Sequence, residues 1–188
     1  MSDLWIFGYG SLMWRPGFSY EEAAPALLRG AQRALCVYSW VHRGTRWRPG
    51  LVLGLDSGGS CHGLAFRVAG ARAAQVKSYL RRREQVTNVY RASLRRVHLL
   101  DGSGRTVRAL CFLVDRSHRQ YAGRLPVARQ AWHVRRGRGR SGHNLDYLAN
   151  TLRHLDEMGI VDRPLTRLRA QFAARRVLRS ELSRPRAR

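Results

Sequence analysis

The sequence predicts an α+β domain on a largely antiparallel sheet, with its main helices late in the chain. Three observations carry that expectation. About six short runs of β-forming residues are separated by turns rich in Gly, Ser and Asp. Apolar residues at helical spacing occur once in the middle of the chain and then mainly towards its end. With 188 residues, 44% of them hydrophobic, the chain can bury one full core. A single domain over residues 1–182 follows, with a basic, disordered tail at 183–188.

The elements are read in order. Trp5-Ile6-Phe7 is a short apolar run that reads as a buried strand ending at Gly8-Tyr9-Gly10. Residues 19–28, around Glu21, Glu22 and Pro25, read as a short loop and helix. Residues 33–41 are dense in β-formers and predict a strand. After a loop at 42–50, residues 51–55 and 61–68 predict two strands joined as a hairpin across Ser57-Gly58-Gly59. The spacing of Val76, Tyr79 and Leu80 predicts a helix over 71–86. Residues 90–100 and 106–115 alternate and form a second hairpin over Asp101-Gly102-Ser103-Gly104, while 116–139 read as basic and irregular. Ser141 and Asn144 are candidate caps for a helix that runs to Met158 and stops at Gly159. Asp162 before Pro164 starts another, with Leu165, Leu168, Phe172 and Leu178 on one face.

Composition narrows the function. The net charge of +23 points first to polyanions, but Lys77 is the only lysine among 35 basic residues and the arginines are scattered. No zinc finger, RNP pattern or basic-heptad region accompanies them, so we expect no specific nucleic-acid partner, only salt-sensitive adhesion. An RNA- or polyanion-binding module is the competing class of function. No apolar run reaches 18 residues, which predicts no membrane span. Cys36, Cys61 and Cys111 are far apart and lie in apolar runs; they read as buried thiols of a cytoplasmic protein. The seven histidines lack ligand spacing, so no metal is expected, and no cofactor.

Two places carry chemistry. Gly8-Tyr9-Gly10-Ser11-Leu12-Met13 forms a turn at a strand end, where glycines tolerate positive φ or let a ligand reach bare backbone. Consecutive N–H groups there can converge on an anion. The third glycine of a dinucleotide fingerprint is absent, and Ser11 lacks the flanking glycines of a nucleophile elbow. The second place is Glu84. It lies one turn beyond Leu80 and two beyond Val76, so it falls on the apolar stripe of its helix. It also sits in the last turn, where the helix dipole disfavours an anion. Burial and dipole push its pKa up, and Arg81, Arg82 or Arg83 can pull it down, which leaves the net direction open. Glu84 is either a charge-neutralising partner or a general base in a pocket. Asp56 reads as an ordinary turn aspartate.

The stretch WIFGYGSLMWRPGF resembles the N-terminal signature of the ChaC-type γ-glutamylcyclotransferases. Arg83-Glu84-Gln85 with Tyr90-Arg91 is similar to that family's Arg-Glu pair and following tyrosine. His42-Arg43-Gly44-Thr45, Pro49-Gly50-Leu51-Val52, Tyr121-x-Gly123 and Ser141-Gly142-x-Asn144-x-x-Tyr147-Leu148 match further motifs in the same order. Val41, the arginine load and the chain after Gly159 depart from the pattern. The resemblance implies a single γ-glutamylcyclotransferase-like domain, a small β-barrel with flanking helices. It implies a lyase-type cyclotransferase that releases 5-oxoproline and cysteinylglycine from glutathione, or acts on another γ-glutamyl amine. In that reading Glu84 moves the protons, the backbone N–H groups of Tyr9, Gly10, Ser11 and Leu12 hold the substrate's α-carboxylate, and Gly8 and Met13 complete the substrate-binding stretch. Arg43 and Tyr121 add further substrate contacts.

Overall fold

In the computed structural model, residues 2–84 and 87–173 are described. Gln85, Val86, Leu178 and the expected tail at 183–188 lie outside them. The chain divides into two compact units: Met1–Ala34 with Gly54–Tyr121, and Leu35–Leu53 with Ala122–Arg188.

The first unit is organised by a closed barrel with strand order β1-β3-β2-β4-β5. Its strands are β1 (Leu4–Gly8), β2 (Glu22–Ser39), β3 (Gly50–Val68), β4 (Tyr90–Leu99) and β5 (Thr106–Val114). β2 and β3 run on into the second unit's residues. β1 pairs antiparallel with β3, Leu4 opposite Val68 and Gly8 opposite Leu64. It pairs parallel with β5, Trp5 opposite Ala109. The barrel is therefore mixed, although β4 and β5 form the expected antiparallel hairpin from Tyr90↔Val114 to His98↔Thr106.

Two local readings are corrected. Residues 22–28 are strand, not helix. Ala24, Ala26 and Leu28 are buried while Ala23 and Pro25 are exposed, a period of two that pairs Ala26 with Leu99. Cross-strand pairing overrides alanine's helical preference, and Pro25 stands at the end of the β2–β4 pairing, its carbonyl accepting from Leu100 N–H at 2.7 Å. Residues 51–68 are likewise one strand, not a hairpin. Gly58 and Gly59 take positive φ values of 97° and 67° inside β3, bending it without reversing it. Asp56 consequently lies in a buried strand rather than a turn.

A 3₁₀ turn (Gly70–Arg72) leads into α1 (Ala73–Glu84). Its Val76 and Leu80 pack with Leu4, Ile6, Leu12, Phe66, Val68 and Phe112 in one core cluster. Each such fully buried side chain contributes about 1.5–3 kcal/mol. The cluster matters for function, because it joins the turn after β1 to the helix that ends at Glu84.

The second unit holds α2 (Val127–Arg136), a two-residue ladder of β6 (Arg138–Gly139) and β7 (Gly142–His143), α3 (Asn144–Glu157) and α4 (Arg163–Ala173). The α2 helix lies within the stretch expected to be irregular; its arginines mask an apolar face at Ala131 and Val134. α3 stops before Gly159, at φ +64°, as expected. Ser141 and Asn144 do not cap it. His143 occupies the cap position, and the Asn144 side chain instead accepts from Leu51 N–H at 2.6 Å and donates to Leu51 O at 2.9 Å. Asp162 does cap α4, its Oδ1 accepting from Leu165 N–H at 3.1 Å.

Candidate active site

β1 delivers the chain into a tight turn. Met13 N–H donates to Gly10 O at 2.8 Å and Arg15 N–H to Ser11 O at 2.9 Å. The side chains of Tyr9, Leu12 and Met13 are buried, and Leu12 is part of the core cluster. Gly8 and Gly10 are buried as well, which leaves Ser11 as the partly exposed residue of the 8–13 stretch. Neither Gly8 nor Gly10 takes a positive φ, contrary to one of the two reasons expected for them. Packing explains Gly8: a Cβ there would lie 3.2 Å from Leu12 Cβ and from the Phe66 ring. Gly63 on β3 is just as constrained, since a Cβ would come within 2.2 Å of Gly8 O.

Glu84 lies where the stripe of Val76 and Leu80 puts it. Its side chain is only 17% exposed, and burial pushes its pKa above 4.5 against the pull of the Arg83 charge and hydrogen bond. The structure therefore resolves the direction left open by the sequence. Arg83 is the arginine that turns towards it, with Nε 3.1 Å from Glu84 Oε1. The same guanidinium donates through Nη2 to Ser11 Oγ at 3.1 Å. Its Nη1 donates to Arg15 O at 2.6 Å, Pro16 O at 3.0 Å and Tyr79 Oη at 3.1 Å. One side chain thus ties the acid to the turn, so Glu84 and the residues around Ser11 belong to one site.

Helix spacing chose none among Arg81, Arg82 and Arg83, while the resemblance to an Arg-Glu pair pointed to Arg83. A further signal was Tyr79, one helical turn earlier on the same face. Arg33 was missed altogether. It is 5% exposed and donates to Tyr9 O at 2.5 Å and His62 O at 2.6 Å. Its signal was the alternation of β2, which places it on the buried side with Ala31 and Leu35.

Tyr121 and Arg43 each have polar partners of their own. Tyr121 Oη donates to Asp56 Oδ2 at 3.0 Å, and Arg116 Nε reaches Asp56 Oδ1 at 2.7 Å. Burial works to raise the Asp56 pKa, but these two partners outweigh it and hold the carboxyl below its ordinary value. Arg43 belongs to the second unit, where Nη1 donates to Ser141 O and to His143 O at 3.1 Å, and the guanidinium lies over the Tyr147 ring. Desolvation lowers its pKa.

The unit-one site pairs a desolvated carboxyl, whose pKa burial raises, with a turn of the kind that can hold an anion. Comparison with known proteins agrees with that chemistry. The family described as ChaC-like protein matches residues 4–175. A glutathione-specific γ-glutamylcyclotransferase of Escherichia coli is 35% identical over 159 residues, covering 85% of this chain and 68% of that protein. The human glutathione-specific γ-glutamylcyclotransferase 1 is 35% identical over 147 residues, covering 77% and 66%. The chain thus spans about two thirds of the length of these relatives. A crystal structure of a yeast γ-glutamyl cyclotransferase specific to glutathione is similar with a TM-score of 0.80 at 25% identity, over 89% of this chain and 94% of that one.

Proposed function

We propose, for a chain that belongs to the ChaC-like family, the conversion of glutathione to 5-oxoproline and cysteinylglycine. The observation that carries this reading is the Arg83 bridge, which sets a desolvated Glu84 beside the Ser11 turn.

The substrate supplies its own nucleophile. Its α-amine attacks the γ-carbonyl carbon, a C–N bond forms to close the five-membered ring, and the bond to the cysteinyl nitrogen breaks. No water is consumed. In net terms two protons pass from the α-nitrogen, which begins as an ammonium, to the leaving nitrogen, which ends as one. Glu84 is the carrier. As a carboxylate it takes a proton to free the amine, and as an acid it delivers one to the departing nitrogen. A raised pKa suits both halves, because it makes the carboxylate a stronger base for the amine and keeps the proton on Glu84 until the leaving nitrogen takes it. Folding the γ-glutamyl chain so that amine meets carbonyl is the other requirement, and orientation of this kind supplies about 7–11 kcal/mol. The turn performs it by holding the α-carboxylate on its backbone donors; those of Met13 and Arg15 are already used inside the turn, which leaves the assignment to Tyr9 through Leu12. Tyr121 and Arg43 stay candidate substrate contacts, Tyr121 held by Asp56 and Arg43 by the Ser141 and His143 carbonyls. The three buried thiols suit a reducing, cytoplasmic setting.

Purified protein incubated with glutathione tests the proposal. Equimolar 5-oxoproline and cysteinylglycine support it. Turnover of other γ-glutamyl amines in preference to glutathione would move the specificity to the second reading, and cleavage of neither would end both.

A further inference from the structure

We infer that Arg33 is a positioning residue for the substrate carboxylate: from within the barrel wall it sets the direction of the Gly10 N–H. The inference rests on the proposal that the turn holds the α-carboxylate.

The geometry is specific. Arg33 is 5% exposed, and its fork spans two segments. Nε donates to Tyr9 O at 2.5 Å in the turn, and Nη2 donates to His62 O at 2.6 Å on β3. Nη2 also approaches Met13 Sδ at 4.0 Å, at the far end of the turn. The Tyr9–Gly10 peptide is trans, as are all the described peptides. In a planar trans unit the C=O and the following N–H point in opposite directions. A Tyr9 carbonyl drawn onto Arg33 therefore turns the Gly10 N–H away from Arg33, fixed as a donor for something on the other side.

Arginine is suited to this task and lysine is not. One ammonium cannot spread two in-plane bonds onto Tyr9 O and His62 O.

The experiment follows the Gly10 amide by ¹H–¹⁵N NMR as 5-oxoproline is added to the wild type and to Arg33→Lys, with glutathione kinetics on the same samples. The ring without its carboxylate, 2-pyrrolidinone, is the control. The inference predicts that 5-oxoproline moves the Gly10 resonance in the wild type and 2-pyrrolidinone does not. In folded Arg33→Lys the KM for glutathione and the Kd for 5-oxoproline each rise about tenfold or more, while kcat is largely kept. A folded variant with unchanged KM and Kd overturns it, as does a wild-type Gly10 resonance that saturating 5-oxoproline leaves in place. If Arg33→Lys does not fold, Arg33→Gln is read by the same KM and Kd criteria. A wild type that makes no 5-oxoproline overturns the functional reading and this inference together, whereas an active wild type with a silent Gly10 overturns this inference alone.

Discussion

Glu84 sits where an anion is least welcome, at the buried end of an apolar stripe and in the last helical turn. A merely structural ion pair has no need of that placement. Glu84→Gln keeps the volume and an acceptor for Arg83 but cannot carry protons. We predict that its turnover falls at least 10²-fold, within the range of about 10²–10⁴ typical of a positioned acid–base group, while glutathione still binds. Arg83 is not stranded by the change, because Ser11, Arg15, Pro16 and Tyr79 still accept its protons. Stability is the second readout. The folded protein holds a proton at Glu84 above the ordinary 4.5, so it binds that proton more tightly than the unfolded chain. Stability therefore falls as pH rises through the interval between 4.5 and the raised value, and stays lower above it. Melting curves should show Glu84→Gln matching the wild type at the acid end and exceeding it near neutrality. A variant that melts lower at neutral pH and keeps its turnover per folded molecule contradicts this account. Glu84 was legible in the sequence because period and polarity disagreed at one position. Arg83 was marked by the resemblance to an Arg-Glu pair and by Tyr79 one turn earlier, not by the run of three arginines itself.

At the scale of elements, the site is held by the cluster that binds the β1 turn to α1. Leu12 is its link on the turn side. Leu12→Ala should cost about 2–5 kcal/mol of stability by denaturant unfolding, and it should raise KM because the donors around it lose their anchor. Gly10→Val tests the turn differently. Gly10 does not take a positive φ, so the added side chain acts by obstructing the approach of substrate. KM should rise with the circular dichroism spectrum unchanged; an unaltered KM in a folded variant removes the turn from the binding site. Strand and turn positions with strong local signals were readable, among them β1, the β4–β5 hairpin and the Asp162 cap. The 19–28 segment and the supposed hairpin at Gly58-Gly59 were not. Both depend on pairing partners far away in the chain, and paired glycines signal a bend as readily as a reversal.

Across the whole molecule, arginine outnumbers acid without forming a recognition motif. Arg96 faces Arg108 directly across the β4–β5 hairpin, and both are exposed. Like charges so placed repel, as does a net charge of +23 in general. We predict that the melting temperature rises with added salt, as the screening length contracts to about 8 Å at 0.15 M. Retention on RNA should vanish over the same range while turnover persists. RNA binding that resists salt and selects sequence would favour the polyanion-binding reading instead. The origin of the arginine excess is not written in any one residue, but its consequence for solution behaviour is.

The central claim is that the substrate's own amine, not water, breaks the γ-glutamyl bond, with Glu84 moving the protons. The direct test is turnover of glutathione in H₂¹⁸O with mass analysis of both products. The account predicts 5-oxoproline and cysteinylglycine in equal amounts, with no ¹⁸O in the ring carbonyl. Release of glutamate carrying ¹⁸O in its γ-carboxylate would show hydrolysis and contradict it.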